Sequence, residues 1–107
     1  MRFALLLSLV FVLLPTAGAS VTAAHITMTS RSPVVVRGTG FWPSERVTVS
    51  VSAKSTYRKI VTASRLGAFR VTFRGMAIGA CQFYSAQAKG SRGSKASLKV
   101  IPECPAP

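Results

Sequence analysis

Alternation of apolar and polar residues with a period of two is the feature that most constrains the fold of this chain. In segment 46–52 (RVTVSVS) every second residue is valine, and in segment 68–74 (AFRVTFR) every second residue is Phe or Val. Successive side chains of a β-strand point to opposite faces, so both segments are expected to be half-buried strands. Further strands are expected at 26–29, at 34–36 and, more weakly, at 59–62. Since no stretch of ten residues beyond the N-terminal segment has a helical pattern, the sequence predicts an all-β domain.

The C-terminal segment predicts a β-hairpin whose register follows from its side chains. Pairing residue 88 with 96, 86 with 98 and 84 with 100 places small and apolar side chains on one face and leaves 91–93 as a three-residue loop. Gly93 ends this loop, where a positive φ is favoured. The chain then has about seven short strands, which suggest a small Greek-key sandwich of immunoglobulin type. An open barrel is the alternative.

The N-terminus is expected to be an export signal. Arg2 precedes an apolar stretch at 3–14 (FALLLSLVFVLL), and the small residues Ala17, Gly18 and Ala19 follow. The stretch is shorter than the about 20 apolar residues that span a membrane. A basic start, a short apolar stretch and an A-x-A site are typical of a secretory signal peptide. An uncleaved anchor is the alternative.

These features divide the chain into three parts. We expect a signal peptide with a signal helix at 1–19, a linker at 20–25 and one immunoglobulin-like β-domain at 26–107. Cleavage after Ala24 is a second option, because the residues before it are small. We expect a secreted or cell-envelope protein with no transmembrane span after signal cleavage.

Cys81 and Cys104 are the only cysteines and, in an exported chain, predict a disulfide bond. The hairpin register brings them within reach but points them to opposite faces. Pro102 is expected to break the strand ladder and let the chain rotate before Cys104. A pair of reactive or metal-binding thiols is the alternative, although the chain has no C-x-x-C spacing.

The composition argues against an enzyme. The chain has no Asp and no Asn, a single histidine (His25) and only two carboxylate side chains, Glu45 and Glu103. Carboxylate-pair hydrolysis, calcium cages, Ser-His-Asp triads and catalytic zinc sites all need residues that are missing. We therefore expect a non-catalytic protein without a cofactor or metal. A minor alternative is copper binding by His25, if cleavage after Ala24 makes it the N-terminal residue.

The charge is the main clue to function. The chain has 14 Lys and Arg against 2 acidic residues, a formal net charge of +12, which attracts polyanions and does so less strongly as salt rises. The expected partners are an anionic cell-wall polymer, an acidic glycan or another envelope protein. Sequence-specific nucleic-acid binding is not expected, because no helix is available for the major groove. The alternative is that the charge only keeps the domain soluble. The candidate polyanion-binding residues lie on predicted outward faces or in loops: Arg58, Lys59, Arg70, Arg74, Lys89, Arg92, Lys95 and Lys99.

Segment 38–47 (GTGFWPSERV) resembles the G-x-G-F-x-P-x-E-x-V signature of bacterial immunoglobulin-like domains, especially those of secreted actinobacterial proteins. Segment 67–69 (GAF) matches the G-x-F step that opens a later strand in that family, and the resemblance extends over residues 26–101. It implies a non-enzymatic module of the cell envelope or extracellular space, used for adhesion, spacing or binding. The motif positions are Gly38, Gly40, Phe41, Pro43, Glu45, Val47, Gly67 and Phe69.

The motif residues are expected to be structural. The glycines of the G-x-G step would allow tight turns, Phe41 would plug one end of the core, and Pro43 would set the turn into the next strand. Glu45 would accept backbone hydrogen bonds in that turn. Trp42 is expected to be a lid on the core, and an exposed partner-binding patch is the alternative.

Overall fold

A computed structural model of the chain describes residues 23–104. The expected signal peptide at 1–19 lies outside the described residues, as do residues 20–22 and 105–107. The described part contains strands and no helix, which confirms the all-β prediction. Its seven strands are β1 (His25–Arg31), β2 (Val34–Thr39), β3 (Arg46–Ser52), β4 (Thr56–Thr62), β5 (Phe69–Phe73), β6 (Tyr84–Gly90) and β7 (Lys95–Val100).

The strands form two antiparallel sheets that pack as a β-sandwich. One sheet has the order β1-β2-β5 and the other the order β4-β3-β6-β7. At the two edges of the sandwich β1 lies beside β7 and β4 lies beside β5. A single hydrophobic cluster between the sheets contains the alternate residues of β2, β3, β5 and β6. Period-two patterning therefore decided which side chains are buried, as expected.

The predicted register of the last hairpin is confirmed residue by residue. Tyr84 pairs with Val100, and the pairs 86–98 and 88–96 follow. The backbone N–H of Gly90 donates to the carbonyl of Ser94 at 2.8 Å, which closes the loop, and Gly93 has φ of 102°. Small residues facing inward and one glycine in the loop were sufficient to fix this pairing.

The expected turn role of the first motif glycine is wrong. β2 continues to Thr39, so Gly38 lies within a strand, and only Gly40 has a positive φ, of 78°. A Cβ at Gly38 would collide with the ring of Phe69. That ring packs edge-on against Phe41, with 5.1 Å between ring centroids, and both rings are buried. Gly38 therefore makes room for an aromatic pair, and Phe41 fills the core as expected.

Residues 42–45 form the turn that the motif predicts. The backbone N–H of Glu45 donates to the carbonyl of Trp42 at 3.1 Å, Pro43 occupies the second turn position, and Ser44 at the third has φ of 60°. Pro is favoured at the second position because its ring fixes φ near the value that the turn needs. The turn leads directly into β3, whose first buried residue is Val47.

Strand β4 is longer than the sequence predicts. Its first half was missed because the strand is exposed almost throughout, so apolar and polar residues do not alternate along it. It begins at Thr56 rather than at Lys59, and Val61 is its only partly buried residue. As an edge strand it extends two inward-pointing side chains to the other sheet. The Lys59 ammonium donates to the carbonyl of Thr72 at 2.9 Å, and the Tyr57 hydroxyl donates to the carbonyl of Gly75 at 3.3 Å.

The predicted disulfide between Cys81 and Cys104 is present, with 5.8 Å between the two Cα atoms. Strand β7 ends at Val100, before Pro102, so the chain leaves the ladder where expected. The bond ties the end of the chain to the segment between β5 and β6. That segment is also fixed to the β1–β2 hairpin, because Val34 N–H donates to the carbonyl of Met76 and Ile78 N–H donates to that of Arg31.

Candidate functional site

The outward face of the β4-β3-β6-β7 sheet is rich in cations and hydroxyl groups. Alternation and register place fourteen side chains on it, because directly paired residues of neighbouring strands point to the same side. We call this surface the cationic face. Its charged members are Arg46, Arg58, Lys89, Lys95 and Lys99. Its other members are Thr48, Ser50, Ser52, Thr56, Ile60, Thr62, Ser85, Gln87 and Ser97.

The register brings cations from separate strands together on this face. Lys89 of β6 pairs directly with Lys95 of β7, and Lys99 lies four residues further along β7, on the same face. Arg58 of β4 pairs with Ser50, which in turn pairs with Gln87. A shallow depression of about 280 Å³ lies in the middle of the face and is lined by Thr48, Ser50, Arg58, Gln87 and Lys89. It combines two cations with hydroxyl and amide groups that can donate and accept hydrogen bonds.

No carboxylate lies on the cationic face. The chain has two, of which Glu45 is buried at the start of β3 and Glu103 follows the end of β7. Like charges set opposite each other in a sheet disfavour folding, as with Lys89 and Lys95. The face therefore carries an uncompensated positive potential that a bound polyanion would relieve.

The sequence-predicted polyanion candidates do not form one surface. Arg58, Lys89, Lys95 and Lys99 lie on the cationic face, and Arg92 lies in the adjoining β6–β7 loop. The other three lie elsewhere. Lys59 points inward at the sheet edge, Arg70 lies on the outward face of the β1-β2-β5 sheet, and Arg74 lies in the turn after β5.

Two further basic residues belong to these faces and were not among the predicted candidates. Arg46 opens β3 on the cationic face, and Arg37 of β2 pairs directly with Arg70 on the opposite face. Alternation alone could have identified Arg46, because it shares the polar side of its strand. The pairing of Arg37 with Arg70 joins strands that are distant in sequence, so no local pattern could have shown it.

The carboxylate of Glu45 connects the turn before β3 to the β6–β7 loop. Only 1% of the residue is exposed. Its Oε1 accepts hydrogen bonds from Trp42 N–H at 3.0 Å and from the Ser94 hydroxyl at 2.7 Å. Its Oε2 accepts from the backbone N–H groups of Arg92 at 2.7 Å and Ser94 at 3.4 Å. The expected role in its own turn is confirmed, and the bridge to the second loop is new.

These donors decide the ionisation of Glu45. Burial raises the pKa of this carboxyl group, while the hydrogen bonds from the Ser94 hydroxyl and from the backbone N–H groups of Trp42, Arg92 and Ser94 lower it. The lowering prevails, so the pKa lies below the ordinary value for glutamate. Glu45 is thus a buried, ionised carboxylate with a structural role, and its oxygen atoms already accept four hydrogen bonds from the protein.

Gly90 makes room for this carboxylate. A Cβ at Gly90 would collide with the Glu45 carboxylate, whereas a Cβ at Gly75 would meet nothing within 4 Å, and neither glycine has a positive φ. We expect Gly90→Ala to lower the free energy of unfolding by about 2 kcal/mol, because it displaces a packed, hydrogen-bonded group. Urea denaturation measures this, with Gly75→Ala as the matched control changing by less than about 0.5 kcal/mol. Equal effects of the two substitutions would contradict the role given to Gly90.

Trp42 is not the lid that was expected. Its side chain is 52% exposed, and the Arg92 guanidinium lies over its ring at 5.5 Å from the centroid. The alternative of an exposed patch describes it better. The partner in this cation–π contact comes from the β6–β7 loop, which the Glu45 carboxylate holds in place.

His25 opens β1 as an exposed residue paired with Thr39. Among residues 23–104, no group of three or more His, Cys, Asp or Glu residues could hold a metal ion. The same part of the chain contains no helix long and apolar enough to cross a membrane.

Comparisons of the chain with protein-family models, with curated protein sequences and with solved structures find no match. The assignment of function therefore depends on the sequence motifs and on the geometry described above.

Proposed function

We propose that this protein is an exported, non-catalytic module of immunoglobulin type that binds an anionic polymer of the cell envelope. The observation that carries the proposal is the cationic face, which presents five cations and seven hydroxyl side chains on one sheet without a carboxylate. A repeating polyanion, such as a wall polymer phosphate or an acidic glycan, matches a flat face with several separated charges.

The strand order supports the immunoglobulin-type assignment. With β1, β2 and β5 in one sheet and the other four strands in the second, the β2–β3, β4–β5 and β5–β6 connections all cross between the sheets. Such crossings are typical of Greek-key sandwiches. The resemblance of segment 38–47 to bacterial immunoglobulin-like domains points the same way. In this chain its residues pack the Phe41–Phe69 pair and anchor the Glu45 carboxylate.

The disulfide supports export. Disulfide bonds form and persist in oxidising compartments outside the cytosol, and both cysteines of the chain are used in one. Together with the apolar stretch and the A-x-A site at the N-terminus, this favours a signal peptide at 1–19 and a position in the envelope or the medium.

The test is binding to heparin, a soluble polyanion, and to isolated cell walls. We expect binding at about 0.1 M NaCl that is lost at about 0.5 M, because the Debye length then falls below about 5 Å. The triple variant Arg58→Gln, Lys89→Gln, Lys99→Gln is expected to bind heparin about tenfold more weakly, since three exposed ionic contacts are worth about 1.4 kcal/mol together.

A matched control separates the face from the total charge. The triple variant Arg37→Gln, Arg70→Gln, Arg74→Gln removes the same three charges from outside the cationic face, and we expect less than about a threefold loss. Equal losses in both variants would show that net charge alone drives binding. Absence of binding at low salt would leave a purely structural or adhesive module.

A further inference from the structure

One end of the sandwich combines exposed apolar side chains with cations and, in the described part of the chain, lacks an exposed carboxylate. The turn before β3, the β4–β5 loop and the β6–β7 loop meet there around a depression of about 710 Å³. We call this region the loop end. The depression is lined by Ala23, Ala24, Gly40, Phe41, Trp42, Leu66, Arg92, Gly93, Ser94 and Lys95.

The loop end displays two large apolar side chains on a fixed backbone. Trp42 is 52% exposed and Leu66 is 90% exposed. The loops that carry them are joined, because Phe41 N–H donates to the carbonyl of Gly67 at 3.1 Å and Ser44 N–H donates to that of Ser64 at 3.1 Å. Burying Trp42 and Leu66 against a partner would therefore not require the loops to become ordered first.

Cations surround these apolar side chains. Arg92 lies over the Trp42 ring, Lys95 lines the same depression, and Arg65 directly precedes Leu66. The one acidic residue nearby, Glu45, is buried and accepts four hydrogen bonds. The loop end is thus apolar at its centre and positive at its rim. This is the pattern of surfaces that rest in a membrane interface with anionic headgroups.

The opposite end of the sandwich differs from the loop end in that it carries an exposed carboxylate. It also exposes apolar side chains, Phe83 at 49% and Ile101 at 70%. However, Glu103 is exposed close to Ile101 in sequence and would oppose an anionic headgroup. The same end also carries the cations Arg31, Lys54 and Arg74. The two ends are therefore distinguished by this exposed carboxylate and by the path of the chain, and not by the number of their cations.

The path of the chain favours the same end. Ala23 and Ala24 line the depression, so the chain before them joins the domain at the loop end. The apolar stretch at 3–14 is separated from this point only by residues 15–22. While that stretch is held in a membrane, as during export, the loop end is the part of the domain that the linker keeps nearest to the bilayer.

We propose that the loop end docks on the surface of a lipid bilayer that carries anionic headgroups. Trp42 and Leu66 enter the interfacial region, where tryptophan is favoured, and Arg65, Arg92 and Lys95 contact lipid phosphates. This site is separate from most of the cationic face and goes beyond polymer binding, with Lys95 at the border of the two surfaces.

Trp42 is the single tryptophan of the chain, so its fluorescence reports on this site alone. The exported protein is titrated at about 0.1 M NaCl with vesicles of phosphatidylcholine, or with vesicles in which phosphatidylglycerol replaces part of it. We expect emission to move to shorter wavelength with the anionic vesicles, and lipids brominated near the headgroup to quench it. The variant Arg65→Ser, Leu66→Ser is expected to lower the partition coefficient at least about tenfold, because it removes a cation and an exposed leucine.

Two comparisons decide the outcome. The variant Phe83→Ser, Ile101→Ser removes apolar side chains from the opposite end and should bind like the wild type. The variant Arg58→Gln, Lys89→Gln, Lys99→Gln should bind heparin about tenfold more weakly and keep quenching by brominated lipid, which separates this proposal from the polymer-binding one. The protein is used without the expected signal peptide at 1–19, because the apolar stretch at 3–14 would itself enter the vesicles and bring Trp42 to the headgroups. Lack of quenching with anionic vesicles, or equal losses at both ends, would overturn the proposal.

Discussion

Glu45→Ala is expected to lower the free energy of unfolding by about 4 kcal/mol. The substitution leaves three partly buried backbone N–H groups and the Ser94 hydroxyl without their acceptor. Hydrogen bonds to an ionised group contribute about 1.5–3 kcal/mol each, and orphaned donors add a desolvation penalty. Losses of this size are uncommon for one residue and indicate a buried network. Urea denaturation followed by circular dichroism measures the effect.

Two further variants keep this prediction testable if Glu45→Ala does not fold. Glu45→Gln preserves the side-chain shape but sets an NH₂ group against N–H donors, so we expect a loss of about 2 kcal/mol. Glu103→Gln removes the same charge from an exposed position and should change stability by less than about 0.5 kcal/mol. Similar effects of the Glu45 and Glu103 substitutions would contradict the bridging role of Glu45.

The same network predicts a dependence of stability on pH. The folded-state pKa of Glu45 is lowered below its unfolded value. The resulting stabilisation is therefore fully present above the unfolded pKa, about 4.3, and is lost as pH falls through the lower folded pKa. Glu45→Gln should lack this part of the acid-induced loss. Denaturation curves at several pH values below about 5 test it, and parallel curves for wild type and variant would contradict it.

Reduction of the Cys81–Cys104 bond is expected to have the second-largest effect, about 3 kcal/mol. The bond closes a loop across a sequence separation of 23 residues, and the chain-entropy model gives about this stabilisation for such a loop. A domain of this size has a small core and depends on such a cross-link more than a large one would. Thermal melts with and without reductant measure the effect, with an expected fall in Tm of more than about 10 °C.

The double variant Cys81→Ser, Cys104→Ser is the control for effects of the reductant itself. It should melt at the temperature of the reduced wild type in both conditions. A wild-type Tm that does not respond to reductant would show that the bond closes a segment that is already fixed by Val34 and Ile78.

Local patterns predicted the strands that have one buried face. In β3, β5 and the β6–β7 hairpin, alternate residues are buried and their neighbours face water, so periodicity identified the strands and their inward side chains. Edge strand β4 is exposed almost throughout, so the same reasoning found only its second half. The turn predicted at Gly38 is wrong because a glycine is needed there for another purpose. It makes room for the ring of Phe69, which belongs to a strand thirty-one positions later in the chain.

The sequence by itself determined an all-β domain, the inward residues of its regular strands, the register of its last hairpin and its disulfide. The first three features depend on residues that are close in sequence. The disulfide follows because the chain has only two cysteines. Only the tertiary structure decided that Glu45 holds a loop 47 residues away and that Arg46, Arg58, Lys89, Lys95 and Lys99 share a face while Arg70 lies on another. The physical reason is that a period of two fixes which side of its own strand a residue takes. The pairing of strands distant in sequence decides which of those sides become one surface.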